Sequence, residues 1–228
     1  MDPRELEVLY EDNHLLVVNK PPGLPTMGTP ADRLTLLALA KEYLKRRYAK
    51  PGNVYLGVMS RLDAPVTGAL LLARTSKAAA RLTEQFRAHA VEKLYWALVE
   101  GRVEPPEGTW TDWLVHDDRH RHVRVARGDA PGAREAVLHY RVRRVWSARS
   151  WLEIRLQTGR KHQIRVQTAR RGHPVLGDRK YGSRTAFGPG IALHARRLVV
   201  VHPTLGRPVE VESPLPDAWR AAGVELSE

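Results

Sequence analysis

The sequence contains no cysteine, which removes disulfides, zinc-thiolate centres and thiolate nucleophiles together. It has no apolar run near the ~18 residues that a membrane-spanning helix needs. Its first ten residues, MDPRELEVLY, are mixed and acidic rather than basic then apolar, so neither a membrane span nor a signal peptide is expected, and a cytosolic location is. A Gly-x-Gly-x-x-Gly run after a strand and a Walker A loop are both missing, so neither common kind of nucleotide site has support. Internal repeats, Gly/Ser linkers, low-complexity stretches and shifts of composition are missing too, and residues 1–228 are read as a single domain. Acidic residues are in deficit: 25 Asp and Glu against 37 Lys and Arg leave a formal charge of +12. A field of that sign attracts polyanions, nucleic acid first among them.

What is present is an ordinary globular composition, 43% hydrophobic and 27% charged. LEVLYEDNHLLVVNKPPGLPT reads as two strands around the Glu11-Asp12-Asn13 turn, closed by Pro21-Pro22-Gly23. From Asp32 to Tyr48 the residues Leu36, Leu37, Ala40, Tyr43 and Leu44 share one helical face, with Asp32 available as N-cap. Ser76 is placed to cap a second helix whose Ala79, Leu82, Thr83 and Phe86 share a face. KLYWALVEG and ALHYRVRRVWSARSWLEIRLQ return to strand character, the latter as a hairpin turning near Ser147 to Ser150. TGRKHQIRVQTARRG predicts a short helix beginning at Thr158-Gly159 and stopped at Gly172, followed by strands in IALHARRLVVV and RPVEVESP. Strands and isolated helices without regular βαβ alternation predict an α+β fold around a largely antiparallel sheet flanked by helices.

Four features carry chemistry. Asp63 sits between Leu62 and Ala64-Pro65, ahead of a glycine and a short apolar run in VMSRLDAPVTGALLLARTSKAA; such an Asp either shapes an Asx-turn or reacts. Arg165 lies beside Val166 and one turn from Ala169, so its guanidinium either snorkels to water or a phosphate, or is buried and needs a carboxylate, for which Asp63 is one option. Tyr95 alternates with Trp96 along a strand, a position that suits packing as well as catalysis. HDDRHRH, from His116 to His122, holds metal-ligand residue types, but alternating basic residues around a turn read as a solvated hairpin or phosphate-contacting arm, and no metal is assigned.

Taken together, LLVVNKPPGLPT, SRLDAPVTGALLLARTSKAA, EKLYWALVEG, LQTGRKHQIRVQTARRGHPVLGDRKYG and LHARRLVVVHPTLG, in that order, resemble the RluA-type family of RNA pseudouridine synthases across nearly the whole chain. Two departures stand out: Ser60 replaces the family's usual His before Arg-Leu-Asp, and Val66-Thr67-Gly68 stands where Thr-Ser-Gly is usual. The match begins at the catalytic segment, without the S4-like domain of many relatives, which implies that RNA is held mainly by this domain.

The resemblance implies that Asp63 is the catalytic carboxylate, that Arg165 pairs with it, and that Tyr95 lies against the base. It further implies that Arg61 helps displace the target uridine, with Arg160, Lys161 and His162 as further RNA contacts. It implies an isomerase acting on ribosomal or transfer RNA, without cofactor or metal, as a monomer. Three rivals are distinguishable. A non-catalytic RNA-binding module forms no pseudouridine, a uridine methyltransferase ordinarily uses the cysteine this chain lacks, and a metal nuclease built on His116, Asp117, Asp118, His120 and His122 is sensitive to chelators.

Overall fold

The computed structural model describes residues 2, 5–28, 34–117 and 122–225. The chain divides into two compact units, residues 1–92 with 195–228, and residues 93–194. Both are built on antiparallel pairing with few helices, an α+β fold.

In the first unit, β1 (Val8–Glu11) and β2 (Leu15–Lys20) pair around the expected turn, where the Asp12 carboxylate accepts the His14 and Leu15 N–H groups. β2 pairs with β4 (Thr67–Ala73), which also takes the two-residue strand β3 (Gly57–Val58). Beyond β4 lie β10 (Leu193–Val201), which reaches this unit from residue 195 onward, and its partner β11 (Pro208–Glu212). All seven residues of β4 are buried, the signature of a strand covered on both faces. Its Ala69, Leu71 and Ala73 join Leu15, Val17, Leu198 and Val200 in a core that receives Ala78 and Leu82 of α2 (Ser76–Arg87). Truncating Leu82 to alanine there would cost about 2–5 kcal/mol. The hydroxyl of Thr75 caps α2, one residue before the Ser76 expected for it. Asp32 lies outside the described residues; α1 (Leu36–Arg47) is capped by Thr35, whose hydroxyl accepts the Ala38 N–H at 3.2 Å. A one-turn helix, α4 (Asp217–Ala221), buries Trp219.

The second unit is a five-stranded sheet in the order β5 (Glu92–Glu100), β9 (Arg149–Leu156), β8 (Arg134–Trp146), β6 (Glu107–Asp117), β7 (His122–Ala126). α3 (Gln163–Arg170) lies on it, its Val166 packed with Leu114, Val123 and Ala136. Gln167 adds a polar anchor: its amide donates to the carbonyls of Trp110 and Ala136 and to the Asp112 carboxylate. α3 starts at Gln163 rather than at Thr158-Gly159. The reason lies in side chains: Gln163 Oε1 accepts the Thr158 hydroxyl at 2.8 Å and the Arg160 N–H at 3.0 Å, holding residues 159–162 as a loop. His162 then turns the chain at φ 54°, in the left-handed region.

Candidate active site

In the first unit, Arg61 and Asp63 share one short loop. Arg61 is exposed and Asp63 half-buried, and the Val66 N–H closes a turn on the Asp63 carbonyl at 3.0 Å. Both neighbours of Asp63 are gripped. The Thr26 hydroxyl donates to the Leu62 carbonyl at 2.8 Å and accepts the Leu62 N–H at 3.2 Å. The Ala64 carbonyl accepts from the Gly23 N–H at 2.8 Å and from Lys20 Nζ at 2.9 Å. The segment Lys20–Thr26 therefore fixes the main chain on each side of the carboxylate, and the loop presents Asp63 with little freedom to move.

Lys20 was not singled out from the sequence, yet it is fully buried at the end of β2, and Nζ also donates to the carbonyls of Pro21 at 2.7 Å and Leu24 at 2.8 Å. Three acceptors match the three donors of an ammonium. Burial pushes its pKa down to about 7, against the opposing influence of the Asp63 carboxylate. The signal was available: period two along β2 puts Lys20 on the face of the buried Leu16 and Val18. Downstream, Gly68 has φ 115°, and a Cβ there would lie 2.4 Å from the Ala195 carbonyl oxygen, so only glycine lets β4 approach β10 at this point.

In the second unit, Arg160, Lys161, His162 and Arg165 come together on α3 and its lead-in. Arg160 and Lys161 are exposed; Arg160 Nε donates to the Glu135 carbonyl at 2.8 Å, and Lys161 Nζ lies 2.6 Å from His116 Nε2. Nδ1 of His162 lies 2.6 Å from the Tyr181 hydroxyl, which also accepts the Val123 N–H at 3.2 Å. Arg165 is buried, at 5% exposure, so the snorkelling alternative fails. Its bidentate carboxylate is Asp178, which was not weighed from the sequence: Nε to Oδ2 is 2.6 Å and Nη2 to Oδ1 is 2.8 Å. The ring of Tyr181 lies beneath the guanidinium, 5.0 Å from its carbon. Val175, Asp178 and Tyr181 form the turn that delivers this carboxylate, with the Tyr181 and Ser183 N–H groups on the Asp178 carbonyl.

Tyr95 is half-buried on β5, opposite Ile154 of β9. Lys93 precedes it by two residues and shares its face; a Cβ added to Gly159 would lie 3.9 Å from Lys93 Nζ, so this face of β5 looks toward the loop ahead of α3. Burial lowers the Lys93 pKa. Of HDDRHRH, residues 118–121 lie outside the described residues. Among the described residues no three His, Asp or Glu side chains cluster as a metal site, and His122 stacks on Tyr181 at 4.5 Å.

The fold and these residues define a class, an α+β protein with a carboxylate on a clamped loop and a basic helix, and comparison supplies its family. The RNA pseudouridylate synthase family profile matches residues 14–170. The chain belongs to this family, among its RluA-type members. It is 37% identical to an uncharacterised RNA pseudouridine synthase of Synechocystis sp., over 92% of this chain and 66% of that protein. It is 36% identical to ribosomal large subunit pseudouridine synthase D of Xanthomonas campestris pv. campestris, over 93% of this chain and 66% of that protein. The chain thus spans about two thirds of the length of these relatives. Among solved structures, human RNA pseudouridylate synthase domain containing 4 superposes with a TM-score of 0.80 at 25% identity, covering 97% of this chain and 95% of that one.

Proposed function

We propose that this chain isomerises uridine to pseudouridine in RNA, with Asp63 as the reacting carboxylate and residues 1–228 acting as one catalytic domain. The observation that carries the reading is the double clamp on Leu62 and Ala64, which holds a half-buried carboxylate rigidly within the family-matched segment. Preorganisation of this kind is what a reacting group requires.

The reaction breaks the N1–C1′ bond of uridine, turns the uracil and joins C5 to C1′. C5 gives up a proton and N1 gains one, so composition and oxidation state are unchanged and neither redox cofactor, group donor nor metal is required. Asp63 acts as nucleophile or as proton acceptor. Arg165 is assigned the role of keeping that carboxylate ionised, and Tyr95 that of packing against the uracil. Extruding the base costs a few kcal/mol, offset by Arg61 taking its place and by phosphate contacts from Arg160, Lys161 and His162. The substrate is a structured cellular RNA, ribosomal or transfer; the relatives named for the large ribosomal subunit favour the former. We read the protein as a cytosolic monomer.

Asp63→Asn keeps size and turn-forming ability while removing the charge. It is expected to fold, to bind RNA and to form no pseudouridine; near-normal turnover by the purified variant would overturn the assignment. Mapping pseudouridines in total RNA from cells with and without the protein identifies the uridine.

A further inference from the structure

A basic pocket of about 750 Å³ opens in the second unit between the turn that follows β7 and the last turn of α3. Arg124, Arg127 and Arg170 line it, with Asp129 as its one acidic residue, and Val125, Ala126 and Ala130 supply apolar walls. Three guanidiniums face one carboxylate. Neither Arg124 nor Arg170 has a carboxylate partner among the described residues. Arg127 meets Asp129 at 3.4 Å with both side chains largely exposed, a contact too weak to withhold Arg127 from a stronger anion. The strand and helix are fixed beneath them, because Val123 and Val166 are locked in one buried cluster with Leu114 and Ala136, so the arginines project from a rigid base.

We infer that this pocket is a second anchoring site for the sugar-phosphate backbone of the substrate RNA, removed from the base that reacts. The inference rests on the functional reading above for the identity of the polyanion. Guanidinium forks match phosphodiester oxygens, and arginine suits this contact better than lysine. The pocket is broad and open to solvent, larger than a single inorganic phosphate and with space for a stretch of backbone. Position argues the same way. Arg170 ends the helix that His162 precedes, so the pocket lies roughly 12 Å along α3 from His162 and the basic lead-in. At about 3.4 Å of rise per stacked nucleotide that is three or four nucleotides. One strand can therefore be held at both ends of α3.

The test is binding without turnover, using end-labelled oligouridylates of 2 and 20 nucleotides and the variant Arg124→Ser/Arg170→Ser. A second variant, Arg102→Ser/Arg141→Ser, removes two exposed arginines of the same unit that already pair with Glu104 and Glu107 and serves as control. Thermal melting checks that both variants fold; the substituted positions are at the surface. The pocket variant is expected to bind the 20-mer about tenfold more weakly in 0.1 M KCl, with the slope of log Kd against log [KCl] reduced by about 1.4 for two lost single-strand contacts. The 2-mer, too short to span both ends of α3, is expected to lose far less, and the control to match the parent. Equal losses in pocket and control variants, or an unchanged salt slope, overturn the proposal. So does competition by millimolar inorganic phosphate that depends on the pocket arginines while 20-mer binding does not, since that defines a small-anion site. If the salt effect holds while no RNA yields pseudouridine, the isomerase reading fails and the anchoring site stands. If pseudouridine forms while the salt effect is absent, the anchoring site alone fails.

Discussion

Lys20 in the first unit and Arg165 in the second are both cations withdrawn from water, at 0% and 5% exposure, and the two are stabilised by different kinds of oxygen. Lys20 has the neutral carbonyls of Pro21, Leu24 and Ala64. Arg165 has a carboxylate, Asp178, in two-point contact. Neutral acceptors satisfy the donors of an ammonium but leave its charge uncancelled, so Lys20 is titratable and interacts electrostatically with Asp63. A guanidinium in two-point contact with a carboxylate is held in a fixed geometry and does not titrate. The first arrangement ties a loop in place; the second sets the orientation of one side chain.

The comparison breaks most severely at Asp178. Asp178→Asn removes the charge opposite Arg165 while keeping the shape, and breaking a buried pair from one side is expected to lower stability by about 3–5 kcal/mol. Urea unfolding measures the loss. A loss below 1 kcal/mol would mean that Asp178 contributes little to holding Arg165. The corresponding change in the first unit is Lys20→Met. The Ala64 carbonyl keeps its Gly23 N–H, so two carbonyls lose their donor while a buried charge disappears, and a smaller loss of about 2–3 kcal/mol is expected. Because one bond to the Asp63 loop goes with it, pseudouridine formation by the folded variant should also fall; unchanged turnover would show that the remaining bonds to Leu62 and Ala64 suffice.

A third measurement sharpens the contrast through pH. With the folded pKa of Lys20 near 7 and the unfolded one near 10.5, the unfolded chain binds the extra proton between those values. Stability therefore rises with pH across that window, by at most about 1.4 kcal/mol per pH unit from this group. Lys20→Met is expected to remove that component in denaturant melts from pH 7 to 10, whereas Asp178→Asn leaves the slope as it was. A slope identical in parent and Lys20→Met would place the Lys20 pKa near its ordinary value.

Local pattern and distant contact divide what could be read from the residues alone. The continuous apolar run of β4 and the face of α1 carried by Leu36, Ala40 and Leu44 were legible, because burial imposes a period on neighbours in sequence. So was the reasoning that a buried Arg165 needs a carboxylate. The part played by Asp178 was not, since it is thirteen residues away and arrives only through a turn built on Val175 and Tyr181. Thr26 was invisible for the same reason: its bonds to Leu62 cross thirty-six residues of chain. The start of α3 was misplaced because Gln163 and Thr158 satisfy by side chain what a helical turn would have satisfied by main chain.

The close approach at Gly68 has a consequence for the order of events during synthesis. Gly68 leaves the ribosome more than a hundred residues before Ala195, the residue whose main chain it must touch. At roughly 5–20 residues per second that interval is on the order of ten seconds. Throughout it β4, the strand that follows the Asp63 loop, has β2 available on one side and only the short β3 at the end of the other, where its remaining main-chain donors and acceptors await β10 beside seven side chains that end up buried. The nascent chain thus carries this apolar strand half-paired until β10 emerges.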